Sequence, residues 1–284
     1  MSSYQFAALL NRGIVAVGGA DRVAFLQGLI TNDLAPLVPG NAIYAGLLTP
    51  QGKLLYDFIV VDTGTELLLD VSRDAAPALV RRLTMYKLRA KVTIEDRSTD
   101  YQVAAIWGVA KREAEDSVIV YRDPRLSALG LRVIAPAGRA LDDGTARWRS
   151  EHEYRRIRIG LGIGEGDEIG GETLYPLEAN FELLHGVDFK KGCYVGQELT
   201  ARMKHKSALR KRIIPFTVKD PPDVMPAPGT TVTDGARDIG TLLALEGANG
   251  LALLRLDRLE ESATTPLHAG EATLSIHWPH WISR

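Results

Sequence analysis

Ile43-Tyr44-Ala45-Gly46-Leu47-Leu48-Thr49-Pro50-Gln51-Gly52-Lys53-Leu54-Leu55-Tyr56-Asp57-Phe58-Ile59-Val60-Val61-Asp62 decides the fold class. Two apolar runs, Ile43 to Leu48 and Leu54 to Asp62, flank a short segment carrying Pro50 and Gly52. That is the composition of a strand–turn–strand hairpin. Downstream, Leu67 to Val71 reads as a further strand. Ala75 to Lys87 reads as a helix, with Leu79, Leu83 and Tyr86 at helical spacing. Upstream, Asp21 to Ile30 reads as a short amphipathic helix with Asp21 as N-cap and Val23, Leu26 and Ile30 on one face. Lys91 to Asp96, Tyr101 to Trp107, Ser117 to Tyr121 and Leu131 to Ala135 return to strand character, and Glu151 to Ile159 is a charged helix. Hairpins dominate and no βαβ repeat appears, so the expected class is α+β with antiparallel sheets.

A glycine-rich stretch follows (Gly160, Gly162, Gly164, Gly166, Gly170, Gly171). It contains no G-x-G-x-x-G fingerprint and follows a helix, where a dinucleotide motif needs a strand. Gly52-Lys53 is not a phosphate loop, because Leu54 stands where Ser or Thr is required. The glycines therefore predict sharp turns. After Arg212 the character changes: Ile213 to Val218, Thr230 to Thr233, Ile239 to Leu245, Leu251 to Leu256 and Ala272 to Trp278 are short strands separated by Pro, Gly and Asp. They predict a small C-terminal β-barrel or sandwich, with the boundary near residues 205–212.

The chain of 284 residues is 45% hydrophobic and 24% charged, ordinary values for a globular protein with a real core. No apolar stretch approaches membrane-spanning length, and Met1 to Phe6 does not read as a secretory signal. One cysteine fits a reducing compartment, and the expected location is cytoplasmic, with no membrane partner. The net charge of −1 argues against a dedicated nucleic-acid binder, and no direct nucleic-acid contact is expected. Charge is unevenly distributed, however. Lys190 to Arg212 holds eight Lys/Arg and one acid, Glu198, so this segment is +7 and the remainder −8. Such a block either attracts an acidic ligand or partner, or is a solvated basic face.

Cys193, the sole cysteine, lies within that block in Lys190-Lys191-Gly192-Cys193-Tyr194-Val195-Gly196-Gln197-Glu198. It has no internal disulfide partner. Glycines on either side leave room for close approach, whereas most free cysteines act as small buried apolar residues. The polar setting favours a working thiol.

Leu174-Tyr175-Pro176-Leu177-Glu178-Ala179-Asn180-Phe181, followed by Phe189 to Arg202, resembles the YgfZ family within the glycine cleavage T-protein superfamily. The mitochondrial Iba-type iron–sulfur assembly branch looks closest, because the match continues through His205 to Arg212. Phe25 to Leu34 and Gly52 to Phe58 are similar as well. The resemblance implies an aminomethyltransferase-like core around a central folate-binding channel. In that core two interleaved α+β subdomains occupy residues 1–207 (roughly 1–50 with 145–207, and 51–144), and a β-barrel fills 208–284. It departs from the T-protein pattern at two points. Tyr56-Asp57 stands where two aspartates would be, and Gly160 stands where the pterin-binding glutamate would be.

The function implied is that of a folate-binding accessory factor in iron–sulfur cluster assembly or repair, with tetrahydrofolate or a derivative as cofactor and an A-type carrier protein as partner. A link to tRNA modification follows through cluster supply. An iron–sulfur cluster takes four ligands, mostly cysteine thiolates, so Cys193 would contribute one ligand to a cluster shared with the carrier. The alternative is a tetrahydrofolate-dependent aminomethyltransferase or demethylase. On that reading Asp57 contacts folate or the reacting amine, and Lys191 and Arg202 hold the glutamate tail. Glu178 is a pocket carboxylate or a structural one. Tyr86 and Arg89 line the folate channel or pack a helix on its sheet. A third possibility, a cysteine–histidine hydrolase, needs an imidazole near Cys193, for which His152, His185 and His205 are the candidates.

Overall fold

The computed structural model describes residues 4–109, 117–141, 146–205, 209–219, 221–262 and 264–282. Two five-stranded sheets and a closed barrel make up the β structure. β1 (Gln5–Ala8) and β2 (Arg12–Gly18) belong to different sheets. After α1 (Arg22–Gln27), strands β3 (Ala42–Leu48), β4 (Leu54–Asp62) and β5 (Leu67–Ser72) join β2. Helix α2 (Ala76–Lys87) leads to β6 (Thr93–Asp96), which completes a first sheet in the order β3-β4-β5-β2-β6. β7 (Tyr101–Trp107), β8 (Ile119–Arg122), β9 (Leu131–Pro136) and β10 (Arg147–Trp148) form the second, in the order β10-β1-β7-β9-β8. All pairings are antiparallel except the short β1–β10 contact, which is parallel.

The hairpin read from the sequence is β3–β4. Its turn closes through Thr49 N–H donating to Lys53 O at 2.8 Å and Gly52 N–H to Thr49 O at 2.8 Å. Gly52 adopts a φ of +77°, a backbone region open to glycine.

Alternation along each strand sorts the side chains into layers. Ile14, Ala16, Ile59, Val61 and Leu68 of the first sheet face Val103, Ala105 and Ile134 of the second in one central cluster. Val15, Val17, Phe58, Val60 and Leu69 point the other way, against Leu26 of α1 and Leu79 and Leu83 of α2. Phe6, Ile106, Leu131 and Val133 form a cluster on the far side of the second sheet. Apolar burial on both faces explains why these strands read as near-continuous hydrophobic runs.

Helix α3 (Glu151–Gly160) starts with a capping box in which Ser150 Oγ accepts from Glu153 N–H and the Glu153 carboxylate accepts from Ser150 N–H. Irregular chain then runs along the hairpin, with Gly171 and Glu172 N–H donating to Leu55 and Leu54 carbonyls, as far as α4 (Gln197–His205). β11 (Lys211–Val218), β12 (Thr231–Thr233), β13 (Asp238–Glu246) and β14 (Asn249–Arg255) follow. With β15 (Leu267–Ala269) and β16 (Ala272–Ile276), placed after the short helix α5 (Leu256–Glu261), they close a six-stranded barrel, β11-β14-β13-β12-β15-β16. It is fastened to the core through α3 and the chain beyond it: Trp281 Nε1 donates to Leu161 O at 3.0 Å, and Arg155 pairs with Glu246 at 2.9 Å.

Several expectations change. The first helix covers six residues rather than ten, and Asp21 makes no side-chain cap; its carboxylate accepts the Lys91 N–H at 2.7 Å instead. The division at 50/51 falls inside the β3–β4 turn, so one sheet spans both proposed subdomains. Sheet membership instead groups residues 12–96 against 5–8 with 101–148. The 207/208 boundary lies outside the described residues, and the barrel's first strand begins at Lys211.

Candidate functional site

Strand alternation also brings charge into the central core. Arg12 shares parity with Ile14 and Ala16, Asp57 with Ile59 and Val61, Asp70 with Leu68, and Arg132 with Ile134. All four charged side chains are buried. Asp123 and Arg125 join them from the β8–β9 connection, Arg158 from α3, and Glu165 from the turn after it. Arg12 Nε donates to Asp70 Oδ1 at 2.5 Å, and Arg132 reaches the other Asp70 oxygen at 3.0 Å. Arg125 grips Asp123 with two bonds, 3.0 and 2.8 Å, and Glu165 Oε2 with a third at 2.7 Å. Arg132 and Arg158 approach Glu165 to 3.4 Å and Arg12 to 4.0 Å, so four guanidinium groups surround one carboxylate. Burial pushes the Glu165 carboxyl up, but Arg158, Arg125, Arg12 and Arg132 together hold it well below the usual range.

Asp57 behaves in the opposite sense. Its Oδ1 accepts the Gly166 N–H at 2.7 Å, and its Oδ2 bonds to the Tyr44 hydroxyl at 3.2 Å. Burial raises this carboxyl, and the charge of Arg12 offsets that only in part. Asp57 is thus more readily protonated than an ordinary aspartate. It borders a cavity of about 290 Å³ with Tyr56, Ser72, Arg82, Gly166 and Glu172. A second cavity, of about 510 Å³, lies against Asn41, Tyr121, Asp123, Arg125 and His185. Arg125, at the second cavity, holds its guanidinium 5.5 Å from the centre of the Tyr44 ring, whose hydroxyl bonds to Asp57 at the first.

The Cys193 loop lies on the outer layer of the first sheet, where Val195 packs with Phe25, Tyr56 and Tyr86 against the cluster under α1 and α2. Cys193 is exposed, and a Cβ at the neighbouring Gly192 would meet nothing within 4 Å. The backbone beneath is fixed at several points. Lys191 Nζ donates to the carbonyls of Gln27, Ile30 and Asn32 at 2.8, 2.6 and 2.9 Å. Asp188 Oδ1 accepts from Lys190 and Lys191 N–H, and Gln197 Oε1 accepts from Tyr194 N–H at 2.7 Å. Gly196, at φ +80°, rests on the hairpin turn so closely that a Cβ would lie 2.4 Å from Thr49 O. Partial burial lowers the Lys191 ammonium to about 8 despite Asp33 and Asp188, and burial raises the Tyr194 hydroxyl to about 12.

The candidate residues do not converge on one place. Asp57 alone borders the cavity beside the network. All three ammonium protons of Lys191 are committed to α1 carbonyls and the turn after it, which corrects the expectation that it holds a glutamate tail. Arg202 is exposed on α4. Glu178 Oε2 accepts the Tyr175 N–H at 2.9 Å, the structural alternative for that residue. Tyr86 packs on the sheet beneath α2, the helix-packing alternative for that residue, and Arg89 is exposed. His185 follows a series of turns rather than a helix and has a φ of +57°. A Cβ at Gly160 would meet the Asn249 side chain of the barrel at 3.2 Å, while Glu165, five residues on, supplies the central carboxylate. The +7 segment is not a uniform patch: Lys191 is engaged internally, Lys204 pairs with Glu182, Arg212 bonds to Asn180 at 2.9 Å, and Lys206 lies outside the described residues. Arg12, Asp70, Arg125, Arg132, Arg158 and Glu165 are not among the residues the sequence singles out. Leu67-Leu68-Leu69-Asp70-Val71 and Leu131-Arg132-Val133-Ile134 carry the signal, a charge at an inward position of an apolar strand.

Comparison with known proteins places this geometry. Residues 10–127 match the GCVT N-terminal domain, and residues 210–284 match the CAF17 C-terminal beta-barrel domain. The glycine cleavage system aminomethyltransferase T of Bartonella henselae superposes with a TM-score of 0.77 over 99% of this chain and 87% of its own, at 15% identity, a likeness of fold. The mouse protein named iron–sulfur cluster assembly factor IBA57, mitochondrial, is 35% identical, covering 95% of this chain and 84% of its own. The human protein of that name is 33% identical, covering 95% and 83%. A homologue from Mycosarcoma maydis is 38% identical over 76% of this chain, which spans 58% of that fungal protein. These relatives are named as mitochondrial, which overturns the expected cytoplasmic location. A lone cysteine reports the absence of internal disulfides and does not distinguish one reducing compartment from another. Two domain matches along the chain, the shared fold and one-third identity over nearly the whole length lead to one assignment: the chain belongs to the IBA57 family of iron–sulfur cluster assembly factors.

Proposed function

We propose that this protein acts in iron–sulfur cluster assembly by lending Cys193 as one ligand to a cluster shared with an A-type carrier protein. The observation that carries this reading is the sole cysteine, exposed on a loop that the Lys191 side chain ties to the end of α1 and the turn after it and that is seated on the β3–β4 turn. A buried cysteine would be a packing residue, whereas an exposed thiol on a fixed backbone is a ready ligand. Among the described residues, no three His, Cys, Asp or Glu side chains group to hold a metal ion, so the remaining ligands come from the partner. Coordination is ligand exchange: the thiol gives up its proton as sulfur bonds iron, one carrier ligand is released, and no electron is transferred. Delivery of the cluster to client enzymes, tRNA-modifying enzymes among them, follows from its release. The test is cluster transfer to an apo-client from the loaded carrier: Cys193→Ser is expected to abolish acceleration by this protein with its melting unchanged, and full acceleration by the variant removes the thiol from the mechanism.

Folate binding belongs to the same proposal and fits the cavity beside Asp57. The carboxyl oxygens of Asp57 each keep a free lone pair to accept N–H groups of a pterin, and Arg82 at the cavity wall supplies a cation for tail carboxylates. When bound, folate would supply a one-carbon carrier, the chemistry of the alternative aminomethyltransferase reading. Titration with tetrahydrofolate checks this: Asp57→Ala and Arg82→Ala are each expected to weaken binding, and equal affinity in both variants excludes the cavity.

A further inference from the structure

The corner of α2, the exposed face of α1 and the Cys193 loop adjoin one another, and nothing within the described chain covers them. Leu88, the residue that follows α2, is 90% exposed and has a φ of +42°, a strained conformation for a leucine. One turn earlier, Met85 is 70% exposed. Basic residues surround the two: Arg81, Arg82, Lys87, Arg89 and Lys91 lie between Ala75 and Val92, a span without an acidic residue. Arg81, Arg89 and Lys91 are exposed, and none has an ion-pair partner among the described residues, in contrast to Arg97, paired with Asp100 and Glu66.

Helix α1 connects this corner to the thiol. At its start, Asp21 N–H donates to Lys91 O and the Asp21 carboxylate accepts from Lys91 N–H. At its end, the carbonyls of Gln27 and Ile30 receive Lys191, two residues before Cys193. The six-residue helix between them is only about 9 Å long. Between them α1 exposes Val23, Ala24 and Gly28, small and apolar. Exposed Met85 and Leu88, Val23 and Ala24, and Gly192 with Cys193 therefore sit on three segments tied together by these bonds, among exposed cations that include Arg89, Lys91 and Lys190.

We infer that these segments form one apolar strip, that it is the docking surface for the protein that shares the cluster, and that the partner presents an apolar centre ringed by carboxylates. The inference rests on the cluster-sharing reading and adds to it where the partner sits. An apolar centre with a charged rim is the ordinary anatomy of a specific interface, and the rim sets partner choice and association rate. Uncompensated cations along the strip select an acidic partner over a basic or neutral one. Exposed leucine and methionine side chains become the buried anchors once it is seated.

The test uses the full chain and a [2Fe–2S]-loaded A-type carrier, with affinity measured at low and high salt and the shared cluster read by visible circular dichroism. Met85→Glu with Leu88→Glu, and separately Arg89→Glu with Lys91→Glu, are expected to weaken binding at least about tenfold while far-ultraviolet spectra and melting stay as in wild type. Saturating carrier restores the cluster spectrum in both, because Cys193 is intact. Cys193→Ser docks with near wild-type affinity and yields no spectrum, and Lys219→Glu, exposed on the barrel, changes neither readout. A wild-type spectrum with undiminished affinity in both surface variants overturns the docking surface and leaves the cluster-sharing reading standing. No spectrum and no binding with wild type overturns both.

Discussion

Glu165 Oε2 accepts a hydrogen bond from Arg125 Nη1 at 2.7 Å across forty residues of chain, and both side chains are buried. Arg12, Arg132 and Arg158 converge on the same carboxylate, so it neutralises more guanidinium charge than any other acid among the described residues. Removing it leaves buried cations uncompensated. Glu165→Ala is expected to destabilise the fold by about 3–5 kcal/mol, read as a lowered urea midpoint, because breaking one side of a buried pair exposes the other's desolvation penalty. The pH dependence follows from the depressed carboxyl: its contribution is complete above the unfolded value and is lost as pH falls through the folded one. Acid titration of stability in wild type and Glu165→Gln should therefore converge at low pH. A difference that persists unchanged would contradict the assignment.

Asp57 gives the opposite sign. Its folded carboxyl is raised, so between the unfolded value and the folded one the native state binds more protons, and stability falls as pH rises through that window. Asp57→Asn keeps an acceptor for Gly166 N–H and removes the charge. The variant should match or exceed wild-type stability at neutral pH and lose that advantage in acid, as measured by denaturant unfolding at two pH values. A variant less stable than wild type at both would show that the charged form is what the fold needs.

Lys191 holds the Cys193 loop to α1. Lys191→Met should leave the sheets intact while speeding backbone hydrogen exchange across residues 189–196 at neutral pH, with little change elsewhere. Because the folded ammonium titrates at about 8, below its unfolded value, the unfolded chain binds more protons above that pH. The stability of wild type relative to Lys191→Met should accordingly rise as pH increases from about 8 to about 10. Unchanged exchange in the loop would mean that the glycine seat at Gly196 alone fixes it.

The fold is legible in the sequence where residue type and local geometry agree. Thr49 to Lys53 between two apolar runs could hardly be other than a turn, and the spacing of Leu79 and Leu83 matches the face α2 buries. The C-terminal strands are legible through their punctuation, although Leu267 to Ala269 is too short to show a period. Sheet membership is not legible, because which strands pair depends on contacts between Arg12 to Gly18 and Leu67 to Ser72 that no local pattern encodes. The site divides the same way. Cys193 stands out by its setting, whereas the role of Lys191 is hidden because its partner carbonyls are more than 150 residues away. Arg132 and Glu165 meet only once the two sheets face each other.

Ligation of a shared cluster by Cys193 is read by anaerobic mixing with a [2Fe–2S]-loaded A-type carrier, followed by visible circular dichroism. A new spectrum with wild type that is absent with Cys193→Ser is the predicted result; identical spectra from the two proteins, or no change with either, would contradict it.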